Sequence, residues 1–181
     1  KASLMWPFLP AILHNAVAFY HARSADFRVQ SQTLLGNLVQ SLLRQVNISA
    51  EQRALVTQMQ GSLFASLDRI SQDQTTRDEL TAIVKVFSLA CADLSAKWSA
   101  ISLAWGLGCN DMGPALVSLR IYGLLQTRAL TVDSCGQFAT CFFVCLYHGW
   151  FHKTETLIRV LRSDLMPLGQ PADMKGKKML V

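Results

Sequence analysis

Residues 98–125 constrain the fold more than any other part of the chain, because they are apolar on nearly every side. Helical spacing of the large side chains predicts two helices here. Gly106, Gly108 and Asn110 predict the break between them, since glycine and asparagine enter the left-handed conformation that ends helices. Asp111 can then cap the second helix. The segment predicts a buried helical hairpin, with a structural core of Trp98, Trp105, Leu119 and Tyr122.

The rest of the chain also predicts helices, because no run of alternating polar and apolar residues indicates a strand. Ser49 to Gln52 and Thr76 to Glu79 are capping-box patterns, in which each side chain can bond the other residue's backbone amide. The remaining signals predict helices from 7 or 10 to about 20, from 24 or 25 to 44, over 49–70 and 76–89, from 131 or 133 to 147, and over about 153–162.

The predicted fold class is therefore all-α. About eight helices joined by short loops favour antiparallel helical hairpins stacked as a HEAT- or armadillo-like solenoid segment. A closed helical bundle is the alternative.

A single helical domain is predicted over residues 1–166, followed by a flexible basic tail over 167–181, where Gly, Pro, Lys and Asp accumulate. The hydrophobic share of 51% is high, and the charged share of 16% is low, for a free-standing soluble domain. We therefore expect a partner or neighbouring segments to cover part of the surface. A first residue of Lys1 favours an internal segment of a longer protein.

The net charge of +5 comes mainly from the C-terminal part of the chain. Lys153, Arg159 and Arg162 lie on the last predicted helix, where they can form a surface for an acidic protein partner. No aromatic residues alternate with these charges as they do in proteins that bind single-stranded nucleic acid. We therefore expect protein partners and no nucleic acid.

Five cysteines at irregular spacing within apolar runs predict reduced, buried thiols rather than a disulfide framework. A nucleophile pair of Cys145 and His148 lacks the open, electropositive setting that activates a thiolate. Four residues, Cys145 and His148 among them, are of types that bind zinc, but one helix face cannot supply four ligands in the tetrahedral geometry that zinc prefers. We expect no catalytic residues, no metal and no cofactor. The four zinc-competent residues are Cys141, Cys145, His148 and His152.

Residues 2–22 carry no formal charge and are about long enough to cross a bilayer. Two prolines, two histidines and an asparagine argue against a membrane span. On a helical wheel Leu9 and Leu13 share one side and His14 lies on another, which suits an amphipathic helix docked on protein.

Residues 6–19, followed by 29–32 and 34–38, resemble a segment of the Furry-like cell-morphogenesis scaffolds. In that family a helix with leucine-proline and leucine-leucine-histidine precedes a helix with glutamine, leucine-leucine and asparagine-leucine. The family's proline and arginine-histidine, which follow a cysteine matched here by Cys109, are replaced by residues 110–113. Its arginine and glutamine beside a serine are replaced by Val117, Leu119 and Arg120. A second stretch resembles the family's tryptophan-rich helix, cysteine stop and following helix: Trp98, Ala100, Leu103, Ala104, Trp105, Cys109, Ala115, Ser118, Ile121 and Tyr122.

The resemblance implies a segment of a very large HEAT-like solenoid that acts as a non-catalytic scaffold. Such scaffolds support an NDR-type kinase with its Mob coactivator in cell polarity and morphogenesis, so a cytoplasmic location is expected, at the cell cortex or cytoskeleton. The residues alone leave an alternative open, a compact helical protein that binds an apolar ligand or a host or partner protein. The side chains that permit an apolar pocket are Phe142, Phe143, Trp150 and Phe151.

Overall fold

The computed structural model describes residues 5–20, 25–45, 48–71, 77–125 and 132–165. These residues contain no strand, so the all-α prediction is confirmed. The predicted cap at Thr76 and the predicted tail over 167–181 lie outside the described residues. A 3₁₀ helix, Trp6–Phe8, precedes eight α-helices: α1 (Leu9–Phe19), α2 (Ala25–Leu43), α3 (Ala50–Ser71), α4 (Arg77–Phe87), α5 (Leu94–Gly108), α6 (Met112–Leu125), α7 (Val132–Tyr147) and α8 (Phe151–Leu165).

Local side-chain bonds start and end several of these helices. The backbone N–H of Gln52 donates to Ser49 Oγ at 3.1 Å, and the Ser49 N–H donates to Gln52 Oε1 at 2.9 Å, which confirms the predicted capping box of α3. Asp111 Oδ1 accepts from the Gly113 N–H at 3.1 Å and caps α6. Gly149, with φ of +69°, follows α7, at the break that the sequence predicts.

Gly106 does not end a helix, which corrects the prediction made from its conformational freedom. The helix α5 continues through Gly108, and Cys109 follows it in an extended conformation. A Cβ atom built on Gly106 would lie 2.6 Å from Cδ2 of Leu119. The missing side chain therefore lets α5 and α6 approach closely.

Helix α6 lies in the middle of the molecule and contacts α1, α3, α4, α5 and α8. Its Val117, Ile121 and Leu125 enter a first core with side chains of α1 to α5. Its Leu119 and Tyr122 enter a second core with side chains of α7 and α8. Because α6 faces two cores, it is apolar nearly all round.

The other residues predicted as core lie on α5. Trp98 is fully buried, as is Leu119 on α6, and Tyr122 is 6% exposed. Trp105 is half-buried, with its ring centroid 5.5 Å from that of His14. The hairpin thus supplies bulky side chains to the centre of the fold.

Helices adjacent in the chain form contacting pairs: α1 with α2, α3 with α4, α5 with α6 and α7 with α8. Helix α1 also contacts α5 and α6, so the beginning and the end of the first six helices lie against each other. Stacking as a HEAT-like solenoid stays a prediction, with the closed bundle as its alternative. None of the helices described is long and apolar enough to cross a membrane.

Candidate functional site

Helix α1 carries a buried histidine that contacts both helices of the central hairpin. His14 Nδ1 lies 3.2 Å from Ser102 Oγ on α5, and Nε2 lies 3.2 Å from Ser118 Oγ on α6. The Ser118 hydroxyl donates its only proton to the Pro114 carbonyl oxygen at 2.6 Å. It must then accept from a proton on His14 Nε2, so Nδ1 accepts from the Ser102 hydroxyl.

These hydrogen bonds hold helices together and do not form a catalytic site. A hydroxyl donating to an imidazole is an arrangement that activates nucleophiles. Here, however, His14, Ser102 and Ser118 all have 0% exposure, which leaves no surface for a substrate to contact. Burial lowers the pKa of His14 from 6.5 to about 4, so the ring is neutral near pH 7. The network ties α1 to the hairpin.

Lys153, in the first turn of α8, is 2% exposed. Its Nζ donates to the Cys109 carbonyl oxygen at 3.2 Å and lies 5.7 Å from the Trp150 ring centroid. The carbonyls at the end of α5 carry partial negative charge, which favours an ammonium group there. These contacts correct the prediction that Lys153 faces an acidic partner.

Arg159 and Arg162, the other two predicted partner-binding residues, are exposed on α8. The guanidinium Nη2 of Arg159 lies 3.2 Å from Glu155 Oε1, and both side chains of this pair are exposed. Arg162 borders an open groove between α7 and α8. Their role in partner binding stays a prediction.

Two cysteines on α7 face the second core. Cys141 Sγ lies 3.9 Å from Cys145 Sγ, and the Cys141 thiol donates to the Leu107 carbonyl oxygen at 3.7 Å. Burial raises the pKa of Cys145 to about 11, and the neighbouring Cys141 adds to the shift. His148 stacks on the Trp150 ring instead, with 5.1 Å between centroids. No group of three or more His, Cys, Asp or Glu in the described ranges is placed to hold a metal ion.

We expect iodoacetamide at pH 8 to label Cys135 before it labels Cys145. Cys135 is exposed, whereas Cys145 is fully buried. With a pKa of about 11, about one Cys145 thiol in a thousand is ionised at pH 8. Peptide mass spectrometry over a time course measures both rates, and labelling in urea is the control. Equal rates in the folded protein would mean that Cys145 is open to reagents and chemically available.

Large apolar side chains are exposed on α7 and α8. Phe143 and Ile158 border the groove between the two helices, which has a volume of about 770 Å³ and is otherwise lined mainly by apolar residues. Exposed apolar patches of this kind commonly mark interaction sites. We define the α7–α8 face by five exposed residues: Phe143, Leu146, Tyr147, Phe151 and Ile158.

Comparisons with protein-family models, with curated proteins and with solved structures find no match to this chain. The likeness to Furry-like scaffolds stays a prediction from the sequence. The geometry of the described residues is therefore the basis for a functional proposal.

Proposed function

We propose that this protein is a non-catalytic interaction module that binds an amphipathic, acidic helix of a partner protein on its α7–α8 face. The observation that carries the proposal is the exposure of large apolar side chains on this face. Phe143 is 68% exposed and Ile158 50%, and both line the groove. Tyr147, 87% exposed, and Phe151, 75% exposed, lie outside its lining. Covering such side chains with a partner removes apolar area from water and stabilises the complex.

The shape of the groove favours a helix as the occupant. Phe143 on α7 and Ile158 on α8 line a groove between these two helices, and a partner helix can place its apolar side chains there. This mode needs no free backbone edge on the receiving protein.

The charge around the groove favours an acidic helix. Arg162 borders the groove itself, and Arg159 is exposed one turn earlier on α8. Glu155 neutralises part of the charge of Arg159, so Arg162 is the stronger attractor. Acidic side chains beside the apolar stripe of a partner would complement this rim and speed its association.

We also propose a biological setting for this interaction module. Its support is the resemblance described above, which implies a segment of a HEAT-like scaffold that assists an NDR-type kinase and its Mob coactivator in cell polarity. A cytoplasmic location at the cortex or cytoskeleton belongs to the same proposal.

We expect a displayed library of helical peptides, selected against the protein, to yield amphipathic sequences with acidic residues. Their affinity, measured by fluorescence anisotropy, should fall by about tenfold or more with Phe143→Ser or Ile158→Ser, since buried apolar anchors dominate such interfaces. Arg162→Glu should weaken binding by about threefold and reduce its salt dependence. Phe27→Ser is the matched control, because Phe27 is exposed to 53% but lies on α2.

Three outcomes would overturn the proposal. Selected peptides without acidic residues would show that the partner helix need not be acidic. Peptide affinities that are unchanged by both Phe143→Ser and Ile158→Ser would show that the peptides bind at another site. Self-association abolished by Phe143→Ser would make a second copy of this chain the occupant in place of a different protein.

A further inference from the structure

A second groove, which we call the Lys153 groove, lies between the end of α5, one side of α7 and the start of α8. Its volume is about 960 Å³. Both apolar and polar residues line it. Among the described residues, Lys153 is the only one with a cationic side chain in this lining. The other lining residues that matter here are Leu107, Val144, Trp150, Gln137, Thr140 and Asp133.

Lys153 is incompletely partnered for a group that is 98% removed from water. An ammonium group has three N–H donors. Within the described part of the chain, Cys109 accepts one of them through its carbonyl oxygen, and the Trp150 ring faces the group at 5.7 Å. Asp133 lines the same groove, and the ion pairs found among the described residues do not join it to Lys153. An anion in the groove could accept from the remaining Lys153 N–H donors.

We propose that the Lys153 groove binds a small monocarboxylate with an apolar body. Its carboxylate would accept hydrogen bonds from Lys153 Nζ, and its apolar body would lie against Trp150 and Val144. This site is separate from the α7–α8 face and goes beyond the interaction function proposed above.

The lining favours a single carboxylate over a phosphate. A phosphate carries nearly two negative charges, whereas Lys153 supplies one positive charge. Asp133 adds a negative charge to the same lining and so disfavours a dianion. An arginine fork, which suits phosphate, is absent from this lining among the described residues.

The test uses 1-naphthaleneacetate and its uncharged amide as probes, followed through the Trp150 indole N–H signal in two-dimensional NMR. A Trp150→Phe variant assigns the signal. We expect the acid to bind about tenfold more tightly than the amide, because a charge-assisted hydrogen bond in a shielded site is worth that much. Lys153→Met should abolish this preference, and Lys85→Met, at an exposed lysine of α4, should leave it unchanged.

Gly136→Met keeps the proposal testable if Lys153→Met does not fold. A Cβ atom on Gly136 meets no atom within 4 Å, so the methionine can enter the groove while Lys153 stays in place. We expect this variant to fold and to lose affinity for the acid. Equal affinity of acid and amide, binding that survives Gly136→Met, or no binding by the wild-type protein would each overturn the proposal. None of these results bears on peptide binding at the α7–α8 face.

Discussion

Replacing Gly106 by alanine is expected to lower the free energy of unfolding by about 2 kcal/mol. The new Cβ atom would lie 2.6 Å from Leu119 Cδ2 and 3.3 Å from the Leu119 backbone nitrogen. Leu119 is fully buried, so its side chain cannot swing into solvent. The helices α5 and α6 must separate instead. This cost exceeds the gain of up to about 1 kcal/mol that alanine brings to a helix interior.

Gly61→Ala is the control with the opposite expected sign. Gly61 lies inside α3, and a Cβ atom there meets nothing within 4 Å. Alanine should therefore raise the free energy of unfolding by up to about 1 kcal/mol. Urea denaturation followed by circular dichroism measures both variants. A Gly106→Ala protein as stable as Gly61→Ala would show that α5 and α6 do not approach closely.

Acid is expected to destabilise the fold through His14. The pKa of its imidazole is about 4 in the folded protein, against 6.5 as its ordinary value. The unfolded chain therefore binds a proton that the folded chain excludes, and stability falls as the pH drops from about 6.5 to about 4. The whole contribution is about 3 kcal/mol, present above pH 6.5 and lost below pH 4.

The neighbours of His14 explain why protonation is costly. Ser102 on α5 and Ser118 on α6 are neutral hydroxyls, and no carboxylate is among the causes of the shift. A protonated Nδ1 could no longer accept from Ser102. His14→Gln is the control, since an amide donates and accepts without titrating in this range. Equal pH dependence of the two proteins between pH 7 and 4 would remove His14 as the source.

Three helix boundaries could be predicted because their causes are local. The Ser49 and Gln52 side chains bond backbone groups three residues away, so the sequence alone carries the information. The same holds for Asp111 before α6 and for Gly149 after α7. The apolar character of α6 likewise predicts burial on most sides.

The sequence did not reveal the roles of three residues whose partners are distant in the chain. His14 meets Ser102 and Ser118 across 88 and 104 residues. Lys153 reaches the Cys109 carbonyl oxygen across 44 residues, and a lysine on an amphipathic helix ordinarily predicts exposure. A glycine such as Gly106 ordinarily predicts the end of a helix. Its role in close packing is visible only from the short distance to Leu119.

The exposed apolar face was foreseeable in part. The sequence singles out Phe142 and Phe143 as side chains of an apolar pocket, and both border the groove between α7 and α8. It also singles out Trp150, which lines the Lys153 groove instead, and Phe151, which is 75% exposed. Periodicity does not distinguish a covered apolar side chain from an exposed one, because that depends on whether another helix packs there.

Site-specific photo-crosslinking in the cells that make the protein tests the interaction function most directly. A benzoylphenylalanine placed at position 143 or, as the control, at position 27 records what each exposed aromatic position contacts. We predict that position 143 becomes joined to one partner, at a peptide with apolar residues at helical spacing and acidic residues beside them, and that position 27 does not. Crosslinks from position 143 to further copies of this chain only, or to the same partner equally from position 27, would contradict the account.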